Sequence, residues 1–587
     1  MRREARPGAF LGFCLLTLLG AGPGPSSPVA DAAREDDLRL VRALLADGAD
    51  VNVPQGDGMT ALHWAAYNGN RELAQALLGA GAQVARETRN GSYTPLHLAA
   101  QAGSGPIVRL LVGAGADVTA RTEGVGGATA LHFAASAGDT AAVVALLDAG
   151  AEVNSVDLAW GQTPLMFAAS RNRVDAVRTL LTHGADVGAR SRFLDVPARA
   201  ASDQVENRVR DARVLGGTRS AAGAQAPAVP DRVLPGTDWH RTAAASNVVE
   251  DPDRPVEEVE PLSYADLVQG HGGLTALLHA VREGHDETAL ALLEGGADID
   301  QPSAGDGTSP MLMAMINGRF DLGMLLWERG ADPTAANDAG TTPLYAALNT
   351  HWAPKSRFPQ QQAYRIQRHT YMDVMRRLLE AGVDPDVRLT KHLWYMSFNF
   401  DLLQVDTQGS TPFWRAAYAL DVDAMKLLVA HGADPGIPTS KAPERRRGGT
   451  AEDPSGLPPV PVGGPAVFPL HAASGVGYGE GFAANAHRHV PDGWLPAVRY
   501  LVEELGAGVN VRDHNGYAPL HHAAARGDDE LILYLVEHGA DVTLVSRAGQ
   551  TTADMANGPY QRTQPYPETV ALLERLGSKN NHRCLSC

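Results

Sequence analysis

Thr60-Ala61-Leu62-His63, Thr94-Pro95-Leu96-His97, Thr129-Ala130-Leu131-His132 and Thr163-Pro164-Leu165-Met166 stand about 34 residues apart, a self-similarity that marks a repeat architecture. Each is followed by a pair of small residues, Ala65-Ala66, Ala99-Ala100, Ala134-Ala135 or Ala168-Ala169. Then comes an apolar segment such as Val143-Val144-Ala145-Leu146-Leu147 and a turn of the type Gly48-Ala49-Asp50-Val51, Gly115-Ala116-Asp117-Val118 or Gly184-Ala185-Asp186-Val187. Threonine suits a helix N-cap, and proline suits the first turn, where a missing N–H costs nothing. The paired alanines let a short helix approach its neighbours, the apolar segment supplies the stripe of a second helix, and a glycine such as Gly150 ends it in the left-handed region. The period predicts units of helix, turn, helix and projecting hairpin, none of which buries its apolar face alone.

These residues resemble the ankyrin family, over most of the chain and with a many-times-repeated motif. The resemblance implies an all-α ankyrin-repeat solenoid that binds a protein partner and is not an enzyme. Partners of that family contact the hairpin tips and the exposed end of each first helix. Carried over unit by unit, those positions are Met59, Tyr67, Tyr93, Trp160, Arg171, Arg282, Tyr418, Tyr517 and Arg526, expected to be exposed and of the types that dominate interface hot spots. The motif histidines His63, His97, His132, His471 and His521 are expected, on the same resemblance, to bond neighbouring backbone. His522, beside the last of them, faces elsewhere and has no special role assigned.

The register returns at Thr275-Ala276-Leu277-Leu278, Ser309-Pro310-Met311-Leu312, Thr342-Pro343-Leu344-Tyr345, Thr411-Pro412-Phe413-Trp414, Phe468-Pro469-Leu470-His471 and Ala518-Pro519-Leu520-His521. About twelve units result: an array of about five over 28–191, an Ala, Pro, Gly, Arg and Asp-rich linker over 192–271, an array of about seven over 272–577, and a polar tail over 578–587. The second array is interrupted at 351–371, 386–408, 438–465 and 475–496. Uniform stacking requires none of these insertions, so they are the best clue to a specific role.

The insertion from His351 to Tyr371 sets Lys355, Arg357, Arg365, Arg368 and His369 among aromatic residues and glutamines, and the hairpin of the same unit runs through Lys391-His392-Leu393-Trp394-Tyr395-Met396-Ser397-Phe398-Asn399-Phe400. Basic and aromatic groups together fit an anionic or planar ligand held by charge pairing and stacking. The alternative is that the aromatics cover extra apolar surface. Pro438 to Pro465, with Glu444-Arg445-Arg446-Arg447, reads as a solvated loop. Gly475 to Pro496 carries His487, His489, Asp492 and Trp494. That spacing invites a metal but lacks a third firm ligand, so no metal site is expected.

Composition bounds the rest. Of 587 residues 44% are hydrophobic and 20% charged, which excludes wholesale disorder. A net charge of −17 opposes binding to nucleic acid or anionic membranes. No nucleophile elbow, phosphate-binding Gly-rich loop or HExxH occurs in the sequence, leaving catalysis without support. Arg2, Arg3 and Arg6 precede an apolar run from Ala9 to Leu19 that is shorter than the roughly 20 residues of a bilayer span. Residues 1–27 therefore read as a signal peptide, cleaved between Ala21 and Ser27, and the mature protein is expected in the periplasm of a bacterium or secreted, with no membrane span. Cys584 and Cys587 are then the only mature cysteines. Their Cys-x-x-Cys spacing matches the start of a c-type haem attachment site, but the axial histidine is absent, so haem c is expected only in a longer, truncation-free form and no cofactor in this chain.

Overall fold

The computed structural model describes residues 27–214, 262–353, 363–393, 405–443, 453–478, 488–558 and 564–582. Residues 1–26, where a signal peptide was expected, most of Lys391 to Phe400, Glu444 to Arg447, His487 and both tail cysteines lie outside them. Two compact units, Met1–Val187 and Gly188–Cys587, divide the chain.

The first unit contains five helix pairs: Pro28–Arg34 with Leu38–Ala46, Ala61–Asn68 with Arg71–Gly79, Pro95–Gln101 with Gly105–Gly113, Ala130–Ala137 with Thr140–Asp148, and Pro164–Ser170 with Val174–Thr182. The second contains seven: Ala276–Glu283 with Asp286–Glu294, Pro310–Ile316 with Phe320–Glu328, Pro343–Trp352 with Tyr371–Glu380, Pro412–Tyr418 with Val422–Ala430, Pro469–Ser474 with Trp494–Arg499, Pro519–Ala525 with Asp529–Glu537, and Thr552–Ala556 with Pro567–Leu576. Within each unit every first helix packs on the first helix of the next pair. The paired alanines, among them Ala65, Ala66, Ala134 and Ala135, are wholly buried at these contacts.

Local chemistry accounts for the boundaries. The Thr94 hydroxyl accepts from the His97 N–H and Pro95 opens the first turn. Asp37, Asn70, Asp139, Asp421 and Asp528 cap second helices through their side chains. Successive hairpins are joined by backbone hydrogen bonds, such as Arg89 N–H to Asp57 O at 2.8 Å and Ala159 N–H to Gly126 O at 3.0 Å.

The motif histidines are buried, and His63, His97, His132 and His471 bond onward to backbone carbonyls. The Thr60, Thr94 and Thr129 amides donate to Nδ1 of His63, His97 and His132 at 3.1–3.2 Å. An amide only donates, so Nδ1 carries no proton and Nε2–H donates onward. Its acceptors are the carbonyls of Tyr93, Ala120 and Gln162, each at 3.0 Å. Burial lowers the pKa of His63, His97, His132 and His471 to about 4, and that of His521 to about 3. His522 is buried too, its Nε2 3.6 Å from Asp513 Oδ2.

Both ends of the stretch read as a linker are regular. Phe193–Asp195 pairs antiparallel with Gly270–Gly272, Phe193 opposite Gly272. Val196–Val214 is a 19-residue helix and Tyr264–Val268 a short one. An Ala and Arg-rich composition favours helix even where it offers little to a core.

Candidate functional site

The residue after each four-residue motif faces the preceding repeat. In the first unit this register holds Trp64, Leu98, Phe133 and Phe167. The Phe133 ring lies 5.9 Å from those of Tyr93 and His97, and Phe167 lies 5.1 Å from His132. In Pro412–Tyr418 the same register carries Arg415, which is completely buried. Its Nε donates to Asn349 Oδ1 at 2.8 Å, while Nη1 and Nη2 are buried without a hydrogen-bond partner. The guanidinium carbon sits 5.9 Å from the Tyr418 ring centroid. Burial lowers the Arg415 pKa, the fields of Tyr345, Tyr418 and Asp421 oppose that shift, and Arg488 adds to it.

Asp421, nearby and buried, accepts hydrogen bonds from three other groups. Its Oδ1 accepts from Ala424 N–H at 3.0 Å, and its Oδ2 from Trp352 Nε1 at 2.9 Å and the Tyr371 hydroxyl at 2.6 Å. Burial and then the Asp421 charge push the Tyr371 pKa up, keeping the phenol protonated. His351 stacks on Tyr371, with centroids 4.1 Å apart and planes at 19°. Burial first, and then the charge of Arg488, lower the His351 pKa to about 4, so the ring is neutral at pH 7. Tyr364 lies 5.3 Å from His351, and Arg488 Nη1 donates to the Tyr364 hydroxyl at 2.7 Å. Two of the insertions, 351–371 and 475–496, thus converge on one partly buried cluster.

Their placement has local causes. Asp321 accepts from the backbone N–H groups of Arg368 and His369 at 2.9 and 3.0 Å and pairs with His369 Nδ1 at 2.7 Å. Partial burial opposes its ionisation, but these donors hold its carboxyl below the usual value. Val490 N–H donates to Ala419 O at 3.0 Å, tying the other insertion to the first helix that carries Arg415. Gly318 has φ +67°, and a Cβ there would lie 3.1 Å from Tyr364 N. Gly318→Ala is therefore expected to lower stability by about 1–2 kcal/mol, read from the denaturation midpoint of the full chain.

The surface expected of the nine partner positions is found at some of them only. Tyr67 and Trp160 are 55% and 62% exposed, and Arg171 is exposed as well. Tyr93 is half-buried beside Phe133, and Arg282 is half-exposed in an ion pair with Glu283 at 3.0 Å. Met59, Tyr418 and Tyr517 are buried, correcting the expectation of exposure. Tyr418 stacks on Trp414 at 5.1 Å and joins a cluster with Val467 and Val476, while Tyr517 packs against His521 and His522. Arg526 is corrected likewise: its guanidinium lies 3.4 Å above Trp494, pairs with Asp528 and donates to Ser474 O, leaving 7% of the side chain exposed. Trp494 stands where the 475–496 insertion runs into the helix Trp494–Arg499, so the cover over Arg526 comes from the start of the preceding pair's second helix. The His489 ring rests on Trp494 at 4.8 Å, and among the described residues no group of three or more His, Cys, Asp or Glu is placed to hold a metal. Arg415, Asn349, Trp352 and Asp421 were not singled out from sequence, although a charge in the register of Phe133 and Phe167 is a readable signal.

The family model for ankyrin repeats matches residues 29–122, 121–191 and 484–546, and a single ankyrin repeat matches 272–304. The chain carries an ankyrin-repeat fold. The span from 305 to 483, which holds most of the inserted residues, lies outside these matches, yet ankyrin-like helix pairs continue through it. Among curated relatives the chain is 40% identical over 80 residues to the B-cell lymphoma 3 protein homolog of Mus musculus, covering 14% of this chain and 18% of that protein. It is 25% identical over 296 residues to alpha-latrocrustotoxin-Lt1a of Latrodectus tredecimguttatus, covering 50% and 16%. It is 31% identical over 95 residues to protein phosphatase 1 regulatory subunit 12A of Rattus norvegicus, covering 16% and 8%. The chain therefore spans less than a fifth of the length of each of these relatives. The crystal structure of the human ASB11 ankyrin repeat domain aligns with 52% of this chain and all of that one, at 22% identity and a TM-score of 0.35. Ankyrin-repeat domains act as protein-binding scaffolds rather than as catalysts. Among the described residues no helix is long and apolar enough to cross a membrane.

Proposed function

We propose that this chain is a non-catalytic scaffold, working outside the cytoplasm, whose first unit presents adjacent hairpin tips to a protein partner. One observation carries the reading: Val125, Leu158 and Trp160 are 41%, 58% and 62% exposed on two successive tips. Those tips are joined by the Ala159 N–H to Gly126 O bond, and Asp157 holds the Trp160 amide at 2.6 Å. Large apolar side chains fixed side by side on rigid backbone lose little entropy on binding, which suits a contact surface. Trp160→Ala is expected to weaken capture of the partner at least tenfold, about 1.4 kcal/mol or more, while the melting temperature is unchanged because the ring is exposed. Undiminished capture by the variant would remove this surface from consideration.

The placement outside the cytoplasm is supported by Arg2, Arg3, Arg6 and the apolar run from Ala9 to Leu19. N-terminal sequencing of protein from its native source is expected to begin between residues 22 and 28, and an intact Met1 counts against export. The Cys584-Leu585-Ser586-Cys587 spacing supports a second reading, in which the repeats are the interaction module of a c-type haem protein that transfers electrons. Its test is the absorbance spectrum of the longest form of the protein, where lack of a Soret band sinks the idea.

A further inference from the structure

The stretch from Pro438 to Pro465, expected as a solvated loop, is fastened to the array in its second half. Arg547 lies on the hairpin of the last helix pair, and its Nε donates to His514 O on the preceding hairpin at 2.8 Å. Its Nη1 donates to Asp453 Oδ2 at 2.6 Å and to Leu457 O at 3.2 Å, and its Nη2 to Pro458 O at 2.5 Å. Lys441 Nζ donates to Val460 O at 3.1 Å. The Leu457 side chain rests on the tip at Gly516, where φ is +79° and a Cβ would lie 3.3 Å from Leu457 Cδ1.

The fastened segment reads Leu457-Pro458-Pro459-Val460-Pro461-Val462. Proline fixes φ near −65°, and a residue before proline is kept out of the helical region. Leu457, Pro458 and Val460 each precede a proline, which drives the run towards the polyproline II conformation with its three residues per turn. Exposure follows that period. Leu457 and Val460 are half-buried, while Pro458, Pro459, Pro461 and Val462 are exposed, Val462 by 53%. One face is anchored and two look outward. Pro458, Pro459 and Pro461 lack the N–H that strand pairing needs, so the segment is ill suited to extending another chain's sheet. The carbonyls of Leu457, Pro458 and Val460 are already bonded. What it presents is apolar ring surface on backbone whose freedom has already been lost.

We propose that Leu457 to Val462 is a preformed polyproline ridge, held on the last hairpins by Arg547 and Lys441, that docks into the aromatic-lined groove of a partner domain. Flat aromatic rings match the exposed pyrrolidine rings, and a polyproline helix loses little entropy when it binds such a groove. Anchoring lowers that cost further, because Arg547 has already fixed the backbone. The ridge belongs to the second compact unit and addresses a different partner chemistry from the Trp160 surface of the first, so either can fail without the other.

The test titrates the full chain into an isotope-labelled SH3 domain and, separately, a WW domain, two modules that hold polyproline helices in aromatic grooves. The groove tryptophan indole N–H of each probe is followed by NMR. Saturable movement is expected for at least one probe. A chain carrying both Pro458→Ala and Pro461→Ala is expected to bind about tenfold more weakly or worse, with an unchanged melting temperature because both rings are exposed. Arg547→Met, which frees the segment from the tips, is expected to weaken binding several-fold as the ordering cost returns to the binding step. Trp160→Ala is expected to leave it unchanged. No response from either groove, or equal binding by the wild type and the double proline variant, overturns the proposal.

Discussion

Replacing His132 by alanine is expected to destabilise the first unit by about 4 kcal/mol, a large effect for a residue with no catalytic role. His132 is fully buried, accepts from the Thr129 amide at 3.2 Å, donates to Gln162 O at 3.0 Å and packs edge-on to Phe167 at 5.1 Å. Its removal opens a cavity, leaves the buried Thr129 amide without its acceptor, and cuts a tie between consecutive repeats at the Gln162 carbonyl, which keeps the Asp157 amide as donor. Stability of a stacked array is close to a sum of unit and interface terms, so a lost interface is felt by both neighbours. The matched control is His183→Ala on the exposed end of a second helix, expected to cost less than about 0.5 kcal/mol. Urea unfolding of both variants checks the pair, and equal midpoints would show that the motif histidine is not a structural tie.

Acid should act on all of these histidines together. His63, His97, His132, His279 and His471 have folded pKa values near 4, and His521 one near 3, each lowered chiefly by burial. The unfolded chain protonates near pH 6.5, so between that value and the folded pKa it binds protons that the native state does not. Stability therefore falls as pH drops from about 6.5 towards 4 and levels off below the folded values. A shift from 6.5 to 4 corresponds to an upper bound on the order of 3 kcal/mol per histidine, and the several sites compound. Melting curves at pH 7.5, 6, 5 and 4 are expected to show a loss that begins near pH 6.5 and is reduced in a His97→Gln variant. A melting temperature flat across that window would mean the buried rings are protonated in the folded state.

Much of the fold was legible because a repeat states its rules many times. Thr94-Pro95 marks a helix start through the physics of caps and proline, and the structure begins the helix at Pro95. The pairing of Phe193–Asp195 with Gly270–Gly272 was not legible, since it joins segments separated by a long stretch with no period to reveal the register. Burial of Tyr418 and Arg526 was missed for a related reason. Each lies at a position that is open in a regular repeat and is covered here by residues near or within an insertion, Val476 for one and Trp494 for the other. Of the basic and aromatic residues that drew notice in His351 to Tyr371, the rings of His351, Tyr364 and Tyr371 pack together, while Arg365 and Arg368 are exposed. What sequence could not supply was convergence, because Arg415, Asp421, Tyr364 and Arg488 meet only when three repeats stack.

The central claim is that this ankyrin-repeat chain works by presenting hairpin tips to a partner. Photo-crosslinking tests it most directly, with p-benzoylphenylalanine placed at position 160 on a tip and, separately, at position 109 on an exposed second-helix face. The account predicts a discrete protein adduct from position 160 and none from position 109. Adducts from 109 alone, or equally from both, would contradict it.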